Sequence, residues 1–254
     1  MKKFFGGLIL TGMMILLSAG IAAAEGGNGS IYLDCLVSGD GSFDAYVGSE
    51  TVGPPFTLKP SQYALGGEYA FKDFVIGGEY VAGSSDATAV LGYSIPAVAF
   101  ADFNYFQIHA GYRVIKKEPF QIDLGASYYN IHSSGMSEYP LLLNSFTING
   151  LMVGTKVVCN FSEKASINIE YGTSLSASPT GDFEHLMPPG ASKSGSLSAW
   201  DIKFNYLCTD DFGVAVGYRS LIANMSLDNS VSEGPKFDMA SRLSGYTIGF
   251  SCQF

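Results

Sequence analysis

The chain has 254 residues, with 23 acidic against 14 basic side chains and a net charge of −9. That acidity argues against a nucleic-acid partner, which needs basic patches. The four cysteines, Cys35, Cys159, Cys208 and Cys252, form no C-x-x-C pair, so the sequence carries no metal, haem or dithiol motif and implies no cofactor.

The N-terminus reads as a targeting segment. Lys2 and Lys3 are a positive start, Gly7 to Leu17 is an apolar core, and Ala22-Ala23-Ala24 offers a small-residue cleavage site before Glu25. This predicts a signal peptide over 1–24 and a single domain over 25–254. Loss of Lys2 and Lys3 takes the charge from −9 to −11. No other stretch approaches the roughly 18 apolar residues of a spanning helix. If the chain crosses a membrane it must do so by strands, and only a closed barrel satisfies the backbone in lipid.

Alternating segments predict ten strands, at 30–37, 62–71, 74–82, 103–116, 120–131, 145–160, 166–177, 198–208, 212–225 and 241–254. The fold class is an all-β, antiparallel, up-and-down transmembrane barrel. The first strand is short; without it the count is nine, and the even-number rule would favour eight. Short connections at 72–73, 117–119, 161–165 and 209–211 alternate with long ones at 38–61, 83–102, 132–144, 178–197 and 226–240. That is the pattern of tight periplasmic turns and long outer loops. Pro54, Pro55, Pro60, Pro96, Pro140, Pro179, Pro188, Pro189 and Pro235 fall in the long connections and Pro119 in a short one, so no proline interrupts a predicted strand. Gly66-Gly67-Glu68-Tyr69 is echoed by Gly77-Gly78-Glu79-Tyr80 across a two-residue turn, which suggests hairpin symmetry with close backbone approach.

Successive side chains of a strand face opposite ways. Over 103–116, Phe106, Ile108, Ala110, Tyr112 and Val114 face out; over 212–225, Phe212, Val214, Val216 and Tyr218 do. The inward set holds almost every strand-borne charge: Asp34, Glu68, Glu79, His109, Arg113, Asp123, Lys156, Glu170, Asp201, Lys203 and Arg219. Pairing 116 with 120, 160 with 166 and 208 with 212 would set Arg113 opposite Asp123, Lys156 opposite Glu170 and Asp201 opposite Arg219. Opposite charges across a ladder favour pairing, and a one-residue slip would undo it. Glu68 and Glu79 lack such partners. They are candidate selectivity groups, or are neutralised by Arg113 or Lys203. The cysteines fall on the apolar face. They read as lipid-facing thiols, with a Cys35–Cys252 bridge open if closure aligns the first and last strands.

The last strand alternates Tyr246, Ile248, Phe250, Cys252 and Phe254 with Gly245, Thr247, Gly249, Ser251 and Gln253. It resembles the C-terminal assembly signal of bacterial outer-membrane β-barrels, which ends in Phe after alternating apolar residues; Cys252 departs from the usual larger apolar residue. The resemblance covers this strand. It implies the bacterial outer membrane, contact with its lipid and lipopolysaccharide, and recognition by the barrel-assembly machinery through Tyr246, Ile248, Phe250 and Phe254. The inward charges likewise resemble those of small OmpA-like barrels, whose lumen side chains fill.

His132-Ser133-Ser134 with Glu138 resembles the Ser–His–acid set of outer-membrane lipid deacylases in one triplet only. Outer-membrane proteases of ten strands need paired acids and an Asp–His couple at the outer rim. Here Asp210-Asp211 falls in a predicted periplasmic turn, and Glu184-His185 is the nearest rim pair. The long connections are acidic, with Asp40, Asp44, Glu50, Asp86, Glu138, Asp182, Glu184, Asp228, Glu233 and Asp238 against Lys59, Lys193 and Lys236. Phe43, Tyr46, Phe56, Tyr139 and Phe183 could contact a surface partner or cover the mouth. The expected role is non-catalytic, structural or surface-interacting, with a charged and largely plugged lumen. A narrow cation-preferring diffusion channel is the alternative, and a lipid hydrolase or protease the third.

Overall fold

A computed structural model describes residues 28–47, 50–51, 56–90, 96–134, 145–181, 192–228 and 237–254. The predicted signal peptide lies outside them. The strands are β1 (Asn28–Val47), β2 (Glu50–Thr51), β3 (Phe56–Phe71), β4 (Phe74–Val90), β5 (Pro96–Lys117), β6 (Phe120–Ser134), β7 (Ser145–Asn160), β8 (Ala165–Gly181), β9 (Ser192–Leu207), β10 (Phe212–Asp228) and β11 (Phe237–Gln253). Apart from the two-residue β2, which pairs only with the end of β1, ten antiparallel strands follow one another around the wall, and β11 pairs with β1 to close it. Closure removes the sheet edges that lipid could not satisfy. No helix among the described residues is long and apolar enough to cross a membrane.

Closure runs from Ser30 opposite Gln253 to Leu36 opposite Thr247, then shifts by a bulge at Val37. Below Ser30, Gly29 and Phe254 exchange backbone hydrogen bonds of 2.8 and 2.9 Å. A Cβ at position 29 would meet the Phe254 ring, so bare backbone here leaves room for the terminal aromatic to lie across the first strand. The bridge weighed between Cys35 and Cys252 is not formed. Cys35 lies opposite Ile248 and Cys252 opposite Ile31, and all four thiols are free.

The short connections lie where the alternation places them, at 72–73, 118–119, 161–164 and 208–211. Lys72 takes the left-handed conformation (φ 55°) in one of the two two-residue turns. The long-loop end differs from expectation. Strands continue far into the segments read as loops; even β6 has 15 residues and β5 has 22. About 9–11 residues cross a bilayer, so the wall overhangs it on the loop side. Asp40, Asp44, Phe43 and Tyr46 therefore lie on β1, Glu50 on β2, Phe56 and Lys59 on β3, Asp86 on β4, Lys193 on β9, Asp228 on β10 and Asp238 on β11. Glu138, Tyr139, Asp182, Phe183, Glu184, Glu233 and Lys236 lie outside the described residues.

Prolines also enter strands, contrary to expectation. Pro96 opens β5, where no earlier ladder bond is lost. Pro60 sits where β1–β3 pairing is interrupted between Cys35 and Gly41; Pro179 sits in a part of β8 that no longer pairs with β9. A residue with no N–H fits where one of its two ladders is missing.

Candidate functional site: a lumen in two tiers

The outer wall near the turns is apolar. Leu33, Ile76, Leu124, Leu151, Ile169, Val216 and Ile248 are exposed there, bordered by aromatic clusters. Phe74 packs on Tyr112 at 5.2 Å and Phe212 on Phe250 at 6.1 Å near the short turns; Trp200 on Tyr218 at 5.1 Å and Tyr218 on Tyr246 at 5.2 Å mark the other margin. Aromatic clusters beside an apolar outer band are the pattern of a membrane-spanning barrel wall.

Behind this band the lumen is charged, and the three expected cross-strand pairs are in place. Lys156 lies opposite Glu170 and Asp201 opposite Arg219. Arg113 lies opposite Asp123 by a different route: Lys116 pairs with Gln121, and a bulge at Val114 restores the alignment. Arg113 Nε donates to Asp123 Oδ1 at 3.2 Å, and Gln121 Nε2 to Asp123 Oδ2 at 2.9 Å.

Glu68 and Glu79 are not unpaired, and the cations in direct contact with them are neither Arg113 nor Lys203. Lys156 Nζ donates to Glu68 Oε2 at 2.8 Å and stands 3.4 Å from Glu170 Oε1; His109 Nε2 is 3.5 Å from Glu68 Oε2. Arg219 Nη2 donates to Glu79 Oε2 at 2.7 Å and reaches Asp201 Oδ2 at 2.9 Å. Lys203 Nζ bridges Asp34 at 2.6 Å and Asp201 at 3.4 Å. The Lys156–Glu68, Arg219–Glu79 and Lys203–Asp34 contacts cross the lumen between distant strands, so no hairpin rule could find them.

The glycine echo has its reason here. Gly66 and Gly77 face inward, and a Cβ on either would strike the ring of Tyr32 or of His109. Bare backbone lets both rings lie against the wall. The Tyr32 hydroxyl then donates to Glu79 Oε2 at 3.0 Å, while Lys203 Nζ sits 4.7 Å from the Tyr32 ring centroid. Tyr32 was missed because nothing in its own strand marks it as a partner of Glu79.

The charges line a space. A cavity of about 870 Å³ runs among Asp34, Glu68, Glu79, Asp201 and Arg219 and reaches the turn residues Glu118, Glu163 and Lys164. Six inward carboxylates (Asp34, Glu68, Glu79, Asp123, Glu170 and Asp201) face four permanent cations (Arg113, Lys156, Lys203 and Arg219), a surplus of two negative charges.

Above the band the polarity inverts. The outward positions become Asn130, His132 and Ser134 on β6, Asn149, Thr147 and Ser145 on β7, and Ser196, Ser194 and Ser192 on β9. The inward positions become Tyr129, Ile131, Ile148, Leu197, Met225 and Leu227, all buried in one apolar cluster. The overhang is built like a water-soluble barrel, greasy within and polar without. The sequence signal was present: Leu221, Ala223, Met225 and Leu227 alternate with Asn224, Ser226 and Asp228.

Strand parity sets His132 and Ser134 of the enzyme-like triplet on the outer face and Ser133, buried, on the inner one; His132 Nδ1 lies 3.0 Å from Thr147 Oγ1, and Glu138 lies outside the described residues. Asp210 and Asp211 occupy a short turn, and Glu184-His185 is outside the described residues. No cluster of potential metal ligands occurs among the described residues.

The closed wall, the apolar band with its girdles and the charged interior define a small transmembrane β-barrel of the bacterial outer-membrane type. No protein-family model and no curated protein matches the sequence. Among solved structures, the chain is similar to the outer membrane protein OprG of Pseudomonas aeruginosa, at 13% identity over 90% of this chain and 96% of that one (TM-score 0.39). It is also similar to Ail, the attachment invasion locus protein of Yersinia pestis, at 14% identity over 90% and 99% (TM-score 0.35). An outer membrane channel of Pseudomonas putida F1 aligns at 12% identity over 90% and 95% (TM-score 0.40). At these scores no register or binding property transfers.

Proposed function

We propose that this barrel is a non-catalytic structural and surface-interaction component of the envelope, with a lumen that is shut at rest. The observation that carries the reading is the apolar outer tier: Tyr129, Ile131, Ile148 and Leu197 face inward and are almost wholly buried in one apolar cluster. An apolar constriction of this kind resists wetting and so opposes ion passage. Engagement of Glu68 and Glu79 by Lys156 and Arg219 favours an ion-pair network that braces the wall over a pair of free selectivity carboxylates. The apolar band would meet lipid and lipopolysaccharide. The strand bearing Tyr246, Ile248, Phe250 and Phe254 would engage the assembly machinery, and the polar overhang would meet any surface partner.

Single-channel recording of the refolded protein in planar bilayers tests this reading. Silence from a folded barrel is expected. Steady cation-selective steps, altered in a Glu68→Gln/Glu79→Gln double variant, would replace it with the diffusion-channel reading.

A further inference from the structure

Bracing of the wall does not account for one arrangement in the charged cavity. Glu170 of β8 lies directly opposite Asp201 of β9, and both face inward. Like charges opposed across a ladder repel and destabilise it. Their cations differ: Lys156 approaches Glu170 at 3.4 Å, whereas Lys203 and Arg219 approach Asp201.

Neither carboxylate is fully engaged. The Glu170 side chain is 53% exposed, the most open of the six inward acids. At Asp201 the cations gather on one oxygen: Arg219 Nε and Nη2 reach Oδ2 at 3.0 and 2.9 Å, and Lys203 Nζ reaches it at 3.4 Å. Asp201 Oδ1 is enclosed and has no hydrogen-bond partner. Asn168 stands two residues before Glu170 on the same inward face, and its Oδ1 is likewise buried without a partner. Acceptors left unmet in an enclosed polar site call for a donor.

The charge count points the same way. Glu68 and Glu170 share Lys156, which leaves one acid in excess. Asp34, Glu79 and Asp201 share Lys203 and Arg219, again with one in excess. The two groups adjoin where Glu170 faces Asp201. A ligand with two positive charges would cancel both surpluses. The cavity of about 870 Å³ has the size of a pocket for a small organic molecule. No group of three potential metal ligands occurs among the described residues. An ammonium group, with three N–H donors, asks only for a few oxygens such as these.

We propose that Glu170 and Asp201, with Asn168, form a binding site for a small organic diamine. One ammonium group sits at the facing carboxylates, and the second is balanced by the remaining excess acid of the cavity. Approach is from the turn end, where the cavity reaches Glu118, Glu163 and Lys164, and the net negative lumen draws the ligand in. The site goes beyond the structural role proposed above and does not depend on whether the outer tier conducts.

Calorimetric titration of the refolded barrel in nonionic detergent at low salt, with 1,4-diaminobutane as the probe, tests the site. Saturable binding is expected, with butylamine roughly tenfold weaker because it cancels one charge instead of two. Glu170→Gln changes a half-exposed side chain and should fold; it is expected to weaken the diamine about tenfold. Asn168→Ala, which removes no charge, should weaken it less and carries the test if Glu170→Gln fails to fold. Asp210→Asn/Asp211→Asn removes carboxylates from a turn and should leave binding unchanged. Absence of saturable binding, equal binding of butylamine, or unchanged affinity in the folded cavity variants would overturn the site. So would displacement of the diamine by equimolar magnesium, which would mark a metal site, or an equal loss in the turn variant, which would mark surface charge.

Discussion

The two tiers of the lumen share the same strands and the same parity, yet are built oppositely. In the inner tier the outward face meets lipid, and the inward face gathers Asp34, Glu79, Asp201, Lys203 and Arg219 into one ion-pair cluster. In the outer tier the outward face carries Asn, Ser and Thr, and Ile131, Ile148, Leu197 and Met225 belong to one buried inward cluster. The difference teaches that strand alternation is a response to solvent. Where lipid takes the apolar residues, the interior must be polar and must satisfy itself by ion pairs; where water surrounds the wall, the interior can be an ordinary hydrophobic core.

The largest effect should come from the centre of the inner tier. Arg219→Ala leaves Glu79 and Asp201 without their closest cation, and breaking such a buried network costs about 3–5 kcal/mol. Urea unfolding in vesicles would register it as a lower midpoint, and a loss under about 1 kcal/mol would mean that water already screens the cluster. Next, the same charge placed on the two outer faces should discriminate the tiers. Val216→Arg puts a cation in the apolar band and should cost about 2–4 kcal/mol. Ser196→Arg, on the overhang, should fall within about 0.5 kcal/mol of the unaltered protein. Equal effects would erase the boundary drawn at the Trp200 girdle. The smallest loss expected within the charged network belongs to Tyr32→Phe, which removes one hydrogen bond to Glu79 and keeps the ring over Gly66. The expected loss is about 1 kcal/mol, with the Gly66→Ala variant hurt more because the ring itself is displaced.

Much of the inner tier could be read in advance, because it is local. Hairpin arithmetic placed Lys156 against Glu170 and Asp201 against Arg219, and each pair needs only a short turn and a two-residue period. The Arg113–Asp123 pair shows how narrow that reasoning is: its turn register differed by one residue, and the bulge at Val114 compensated. The outer ends of the strands were harder to read. Ser-, Gly- and Ala-rich overhangs resemble loops in composition, and Pro60 and Pro179 argued against strands where one-sided ladders in fact accommodate them.

The sequence by itself determined a closed antiparallel wall, with ten strands expected and eight left open, which end carries the tight turns, and which charges face inward. All of these follow from period and from adjacent strands. Only the tertiary structure decided that Lys156 reaches Glu68, that Arg219 reaches Glu79, that Tyr32 rests on Gly66, and that the β8–β9 ladder ends at Thr173 opposite Ser198. Those contacts join residues up to 140 positions apart across the lumen. They depend on barrel radius and stagger, which no pair of neighbouring strands encodes.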